Sequence, residues 1–435
     1  MITVSCVSCG RPAQERADVA HHRCLSCGDI LEARSAQQDV QPEPDSRYPH
    51  SLWRYRGRLP IDPSATPVTL GEGMTPLRRC PQLDDLFDSS VRIWVKDETN
   101  NPTGSFKDRL VSVAITHARE QGASVVTCAS SGNAAASTAA YAASAGMQSV
   151  VFVPASTPLA KVDQARAYGA RVVAVPGDYS NCYLVCAAAA KQFGWPNLTT
   201  TYLNPYGTAG LATVGYELVD QFAAEGESMD LVSIPLGSGP LLYGIDRGWR
   251  EAAPADTSED MSLLGVQAEG CAPIVSAFIA GHEAVTPWDK PTTIASGISD
   301  PLRGYPEDGT LTLRLIRRRG GSALAVTDAS IVWAAEQLAQ KAGVLAEPTG
   351  AASLAGVAAH LKVATLPRSA NVAICVTGHG FKDPGHTPPA AHSTISLTQP
   401  DAAVITAEVS EESDERQLEQ LQRLQALLGL EEELA

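Results

Sequence analysis

From Val68 onward the hydrophobic positions fall into two alternating patterns. Short runs rich in Val, Ile and Leu occupy 91–95, 125–129, 150–153, 172–175, 231–236, 263–267 and 372–377. Alanine-rich segments with helical spacing occupy 105–121, 134–145, 159–168, 179–193, 241–251 and 329–342. Strand-like runs separated by helices cannot close as hairpins, so the pattern predicts an α/β chain with open, twisted parallel sheets covered by helices on both faces. Two sheets in two domains are expected. Upstream, residues 35–66 are rich in Gln, Asp, Pro and Ser and read as a linker that ends by packing on the main body, with Trp53 and Tyr55 as anchors. Downstream, the tail at 396–435 turns acidic at 408–415 and then repeats Leu418, Leu421, Leu424 and Leu428 at helical steps. That stripe predicts a terminal helix packed on the body, on a second subunit or on a partner protein.

With 435 residues the chain can bury a large core. Its formal charge of -15 argues against a surface for nucleic acid or anionic membrane, both of which need a basic patch. The first ten residues lack the basic and apolar regions of a signal peptide, and no apolar run is long enough to span a bilayer, so a cytoplasmic protein is expected. Ten cysteines in such a chain are not a disulfide framework, and four of them are grouped. Cys6 and Cys9 form one C-x-x-C, Cys24 and Cys27 a second, and each pair is followed by a glycine, Gly10 and Gly28, that permits a tight turn. Four thiolates so spaced predict a closed tetrahedral zinc ribbon over 1–34 with a structural role, while His21 and His22 are expected on the surface.

The chemistry is expected in the loops that follow strands, where open α/β sheets bind ligands. Residues 101–109 read Asn-Pro-Thr-Gly-Ser-Phe-Lys-Asp-Arg and place Lys107 in the first turn of a helix, after a loop held by Pro102 and Gly104. A helix start disfavours an ammonium, and Phe106 helps exclude water, so Lys107 is either easily neutralised and fit to condense with a carbonyl, or a plain surface lysine. Ser130, Ser131, Gly132 and Asn133 precede another helix and form either a neutral cradle for a carboxylate or a serine cap. Gly237, Ser238, Gly239 and Pro240 stand between strand and helix, as a phosphate-binding loop or a tight turn. Thr377 ends a buried run and faces either a ligand or the backbone of its own turn; His379 and Lys382, in the same loop, receive no role.

Taken together, these stretches resemble the threonine synthase family, within the fold-type-II pyridoxal phosphate enzymes whose architecture is that of the tryptophan synthase β subunit. The resemblance spans Cys6 to Pro384 and rests on the paired C-x-x-C knuckles, the motif at 51–56, Leu-Gly-Glu-Gly-Met-Thr-Pro-Leu at 70–77, the 101–109 stretch, 130–133, Glu347-Pro348 followed by small residues, and 377–384. It implies a catalytic region over 67–395, with a smaller domain at about 108–212 inserted in a larger one. It also implies that Lys107 carries pyridoxal phosphate covalently beside Phe106, and that Asn133 bonds the cofactor's phenolic oxygen. Gly237, Ser238, Gly239 and Leu241 are expected to hold its phosphate and Thr377 to meet its pyridine nitrogen. Ser130 and Ser131 take the substrate carboxylate, and Asn204 joins them as a substrate-binding residue. The implied partners are an amino-acid substrate and a second copy of the chain in a homodimer.

The implied reaction converts O-phosphohomoserine and water to threonine and phosphate. The chain departs from the usual family pattern: Ala-Gly-Leu-Ala-Thr at 209–213 replaces a lysine-containing motif, Ala134 stands where a threonine is common, Pro240 and Leu241 alter the cofactor loop, and 294–303 is similar to the corresponding loop of amino-acid dehydratases and ammonia-lyases, with Arg303 either on a phosphate or on the surface. A β-eliminating or β-replacing enzyme of the diaminopropionate ammonia-lyase, threonine or serine dehydratase, or cysteate synthase type is the alternative. A non-catalytic sensor on the same scaffold is another, with the ribbon used for contacts.

Overall fold

The computed structural model describes residues 2–13, 23–35, 44–88, 90–157, 159–177, 179–255, 257 and 260–383. The chain divides into a body, residues 1–387, and a second unit, residues 388–435; the expected leucine-striped tail lies outside the described residues, as do His21 and His22. Among the described residues no helix is long and apolar enough to cross a membrane.

Eleven strands are present among the described residues. β1 (Ile2–Cys6) and β2 (Leu31–Ser35) pair antiparallel as a ribbon. β3 (Leu77–Arg79), β4 (Val91–Asp97), β8 (Leu231–Pro235), β9 (Ser262–Ala268), β10 (Ser322–Val326) and β11 (Ala370–Val376) form one sheet in the order β10-β9-β8-β11-β4-β3, parallel except for the edge strand β3. β5 (Val125–Ala129), β6 (Gln148–Pro154) and β7 (Arg171–Val175) form a second, wholly parallel sheet in sequence order. Each run anticipated from the sequence is a strand, and the two-sheet α/β class is as expected.

The last strand of the large sheet lies in its middle. β11 pairs with β4 on one side and β8 on the other, with Ala370 opposite Val91 and Val372 opposite Leu231. The loops after β4, β11 and β8 are therefore neighbours at one edge of the sheet, which brings the Lys107, Thr377 and Gly237 segments together. Helix Pro348–His360 packs beneath them, and its small residues allow a close approach. A Cβ on Gly356 would lie 2.2 Å from Val266, and one on Gly350 only 3.0 Å from the amide of Thr377.

Several helices were not evident in the pattern, and five of them, Pro81–Asp84, Pro205–Gly210, Pro273–Ile279, Pro306–Arg318 and Pro348–His360, begin on a proline. Each of these prolines is the first residue of its helix, where its missing N–H costs nothing and its fixed φ already suits the helix. The unanticipated β10 is the alanine-rich Ser-Ala-Leu-Ala-Val, whose strand character comes from pairing with β9.

The expected anchors are buried. Trp53 is fully enclosed, and its indole N–H donates to Glu72 (2.8 Å) and Ser112 (2.9 Å). Glu72 also accepts from Tyr141 (2.7 Å), so the glutamate of the 70–77 motif joins three segments of the body. Beneath the Lys107 helix (Lys107–Glu120) lies a second polar cluster. Arg109 donates to Glu98 (2.6 and 2.7 Å) and to Glu217 (2.5 and 2.8 Å), and Lys96 donates to Glu217 (2.6 Å) and to the Thr75 carbonyl (2.8 Å). Burial alone would raise the Glu217 carboxyl, but Arg109 and Lys96 overcome it and hold the group below the usual carboxylate range.

Removing one member of such a cluster leaves buried charge uncompensated. Arg109→Met is expected to lower the free energy of urea unfolding by ~3–5 kcal/mol. Arg166→Ala, which breaks the exposed pair with Asp163, is expected to change it by less than ~1 kcal/mol.

Candidate active site

The segment that carries Lys107 is stitched to the end of β11. Phe106 N–H donates to the Thr377 carbonyl (3.0 Å), His379 N–H to the Gly104 carbonyl (2.9 Å), and Ser105 bridges Gly378. Gly104 takes a left-handed φ of 83°, and Thr103 bonds the Asp108 carboxylate through both its N–H and its hydroxyl (2.7 Å each), which fixes the start of the helix. The helix begins at Lys107, two residues after the expected start at 105, and the lysine lies in its first turn as expected. Its ammonium nitrogen lies 4.4 Å from the centre of the Phe106 ring and makes no hydrogen bond among the described residues. Loss of solvation pushes the amine down to about 8, against the opposing pull of Cys128, Glu347 and Asp300. Desolvation is thus the main cause, and the helix start adds to it.

Lys107 opens on a cavity of about 330 Å³. Three expected loops meet there: Ser130, Ser131 and Gly132 at the head of helix Asn133–Ser144; Gly237, Ser238, Gly239 and Leu241 at the head of helix Pro240–Ala252; and Thr377. Phe106 lines it too. Ser130 Oγ accepts the Gly132 N–H (3.2 Å), so this serine both shapes its turn and faces the cavity. Gly239 is left-handed (φ 107°), and a Cβ there would lie 2.1 Å from the Thr312 hydroxyl, so only glycine fits. The first intrahelical bond that follows runs from Tyr243 N–H to the Gly239 carbonyl, so the N–H groups ahead of it are available to an anion. The Thr377 hydroxyl oxygen is buried and has no partner among the described residues.

Two expected residues sit elsewhere. Asn204, expected to bind substrate, caps helix Pro205–Gly210 instead: its carbonyl oxygen accepts Gly207 N–H (2.9 Å), its amide donates to the Asn197 carbonyl (3.3 Å), and it is not among the cavity-lining residues. Asn–Pro at a helix start is a capping signature, and that physical signal was present in the sequence. Asn133 is the first residue of its helix and turns its amide to Glu347 (2.8 and 3.1 Å) behind Gly378, rather than lining the cavity itself.

Other groups at the cavity had no assignment from the sequence. Glu347 faces it, and burial raises its carboxyl while Asn133 opposes the rise. Asp300 faces it as well; burial pushes this acid up to about 6, against the bonds it accepts from Tyr305 (2.6 Å) and the Leu302 N–H (3.1 Å). Leu302, whose N–H donates to Asp300, holds a left-handed φ of 56° while fully buried, a strained conformation. Lys382 lines the cavity, but its ammonium is bound to the Thr103 carbonyl (2.9 Å) and to Gln164. His379 accepts from Phe381 N–H and packs on the exposed Phe381 ring, away from this set. Arg303 is not among the lining residues.

Residues 68–378 match the family of pyridoxal-phosphate-dependent enzymes. A threonine synthase of Methanosarcina acetivorans is 34% identical over 388 residues, 88% of this chain and 93% of that protein. The chain belongs to the threonine synthase family. A threonine synthase of Methanocaldococcus jannaschii is 35% identical over 87% of this chain and 92% of its own length. Among solved structures, a threonine deaminase of T.th. superposes with a TM-score of 0.59 at 27% identity, covering 74% of this chain and 94% of that one. As a member of this family the chain is a pyridoxal-phosphate-dependent enzyme of the fold-type-II architecture, and the cavity suits that cofactor. It offers a neutralisable amine, a glycine loop at a helix start for an anion, and an unpaired buried hydroxyl.

At the far end of the chain from this cavity's chemistry, Cys6, Cys9, Cys24 and Cys27 hold their four sulfurs within 4.8 Å of one another. Gly10 and Gly28 are left-handed (φ 67° and 75°) and close the two knuckles, as the spacing predicted. Backbone N–H groups of Cys27 and Ser26 hold the Cys24 thiol down to about 7.

A lysine reacts with a carbonyl only as the free amine. Because the Lys107 amine lies near 8 rather than at the ordinary 10.5, the rate of covalent attachment of pyridoxal phosphate to the apoprotein is expected to rise as pH increases through about 8 and to level off above it. Stopped-flow absorbance from pH ~6 to ~10.5 measures this, and a rate still rising at the top of that range, as the ordinary value of 10.5 requires, contradicts the desolvated site.

Proposed function

We propose that this chain is a lyase that converts a γ-activated amino acid, O-phosphohomoserine in the first instance, and water into threonine and phosphate. The observation that carries this reading is the meeting in one cavity of the desolvated Lys107 with the unpaired hydroxyl of Thr377. When bound, pyridoxal phosphate withdraws electrons from the substrate's α-carbon. Thr377 offers the ring nitrogen a neutral hydroxyl where a carboxylate would stabilise its protonated form, which favours elimination and replacement over transamination. Lys107 would hold the cofactor covalently, and its free amine would take the proton from Cα and redeliver it along the side chain. Phe106 covers that amine and excludes water. The N–H groups of Gly237, Ser238, Gly239 and Leu241 would hold the cofactor phosphate, while Ser130 and Ser131 with their helix start would hold the substrate carboxylate. Asn133, whose amide is turned to Glu347, would have to swing it toward the cavity to meet the phenolic oxygen. Phosphate departs from Cγ, water adds at Cβ, and threonine leaves.

A second reading, β-elimination from an amino acid with an amine or hydroxyl leaving group, is favoured by one feature of the cavity. Its cations among the described lining residues are Lys107 and Lys382, the second already bound to Thr103 and Gln164, whereas Asp300 and Glu347 are acids. A phosphorylated side chain favours charged donors.

The four N-terminal cysteines are proposed to bind structural zinc. A tetrahedral Zn–S site places its sulfurs about 3.8 Å apart. The separations here are 3.4 Å for Cys6–Cys27 and 3.8 Å for Cys9–Cys24.

With O-phosphohomoserine, the purified enzyme is expected to release threonine and phosphate in equal amounts, and Lys107→Ala to lose at least ~10³-fold in turnover. Oxoacid and ammonia from serine, threonine or diaminopropionate, without threonine from O-phosphohomoserine, would establish the second reading. Elemental analysis is expected to find one zinc per chain in the wild type and a large loss in Cys24→Ser.

A further inference from the structure

The cysteine ribbon grips the two helices whose ends shape the anion loop. Arg23, which directly precedes Cys24, donates to Asp308 in the first turn of helix Pro306–Arg318 (2.6 Å). Asp308 has no exposed side-chain surface, and its other oxygen accepts Tyr202 N–H (3.1 Å). One turn further along the same helix, Thr312 donates its hydroxyl to the Ser238 carbonyl (2.6 Å), and the Tyr202 hydroxyl lies 3.0 Å from it. Thr312 also fills the space against Gly239. On the ribbon's second strand, β2, Glu32 accepts from Tyr243 (3.0 Å) and Arg247 (3.1 Å), both on helix Pro240–Ala252, which begins at the anion loop. Arg247 also donates to the Ala33 carbonyl (3.1 Å). Ile30 of the ribbon is 1% exposed and is part of the same apolar core as Tyr202, Leu241 and Tyr243.

We propose that the ribbon is a positioning element of the active site: Arg23, acting through Asp308 and Thr312, holds the loop at 237–239 in the shape that receives the cofactor's phosphate. The ribbon then contributes to catalysis without touching substrate or cofactor. Part-buried and charge-assisted, the Arg23–Asp308 contact fixes the helix along its axis, and a helix is stiff enough over one turn to transmit that placement to Thr312. Without it Asp308 is left as a buried, unpaired acid, the helix shifts or Asp308 takes up a proton, and the Ser238 carbonyl loses its fixed donor. The effect falls on the phosphate end of the cofactor, because the Lys107 and Thr377 segments are stitched to each other independently of the ribbon.

The inference rests on the assignment of the cofactor phosphate to this loop, and the experiment separates the two. Pyridoxal phosphate and pyridoxal, which lacks the phosphate, are titrated into the full-length apoprotein, and the ratio of their affinities is read from the absorbance of the bound form. Arg23→Ala is expected to lower that ratio ~10-fold. Thr312→Val, which keeps the side chain's shape but removes the bond to Ser238, is expected to do the same. Arg314→Ala breaks only the exposed ribbon contact to Asp29 (3.3 Å) and is expected to leave the ratio unchanged. A wild-type ratio in Thr312→Val, or equal weakening of both ligands in Arg23→Ala, overturns the relay, and the first holds even where Arg23→Ala does not fold. Gly237→Val narrows the loop itself: if this variant alone lowers the ratio, the cradle stands and the ribbon's role falls; if it too keeps the wild-type ratio, the phosphate lies elsewhere and the relay falls with it.

Discussion

Two cations and two carboxylates buried together under the Lys107 helix set the geometry on which the site depends. Arg109 is wholly enclosed and bonded to Glu98 and Glu217, with Lys96 completing the charge balance. Glu98 follows β4, Lys96 is within it, and Glu217 is on helix Ala212–Ala224, so one guanidinium fixes the helix against the sheet and a second helix at once. Two positions along a helix are about 200° apart around its axis. With Arg109 anchored inward on one side, Lys107 is presented on nearly the opposite side, toward the cavity. An apolar residue at 109 would bury as well but would not select this rotation. The planar guanidinium, with donors in a fixed fork, does.

Topology supplies the remaining placement. β11 is the last strand in the chain among the described residues and lies between β4 and β8, so segments more than a hundred residues apart become adjacent turns at one sheet edge. Hydrogen bonds between the backbones of Phe106 and Thr377, and of Gly104 and His379, join two of those turns directly. The lysine and the threonine are therefore held relative to one another by main chain. The glycine loop, by contrast, is held from outside, by Thr312 and by the helices that the cysteine ribbon grips.

The cavity's electrostatics follow from its burial. An amine there loses solvation and is pushed toward its neutral form, and two acids, Asp300 and Glu347, are pushed toward theirs. Both directions favour proton transfer near neutral pH, because each group is brought closer to the point where it gives or takes a proton at little cost. One of those acids, Asp300, accepts from the strained backbone at Leu302, and such strain persists only where the surrounding packing enforces it.

Local patterns alone determined a good deal. The strand runs, the helix that carries Lys107 in its first turn, the glycines that close the cysteine knuckles and the three strand-end loops were all legible, because each depends on residues within a few positions of one another. The assembly of those loops into one cavity depended on the position of β11, which no local pattern encodes. Helices that open on proline were hidden because the same residue ends one element and begins another. Asn204 was legible as polar and near the chemistry, yet its side chain is spent on a helix cap, while Asp300, Glu347 and Lys382 acquire their place only when distant loops converge. Whether a polar side chain is free or already bonded is a property of its neighbours in space. That is the part only the tertiary structure decided.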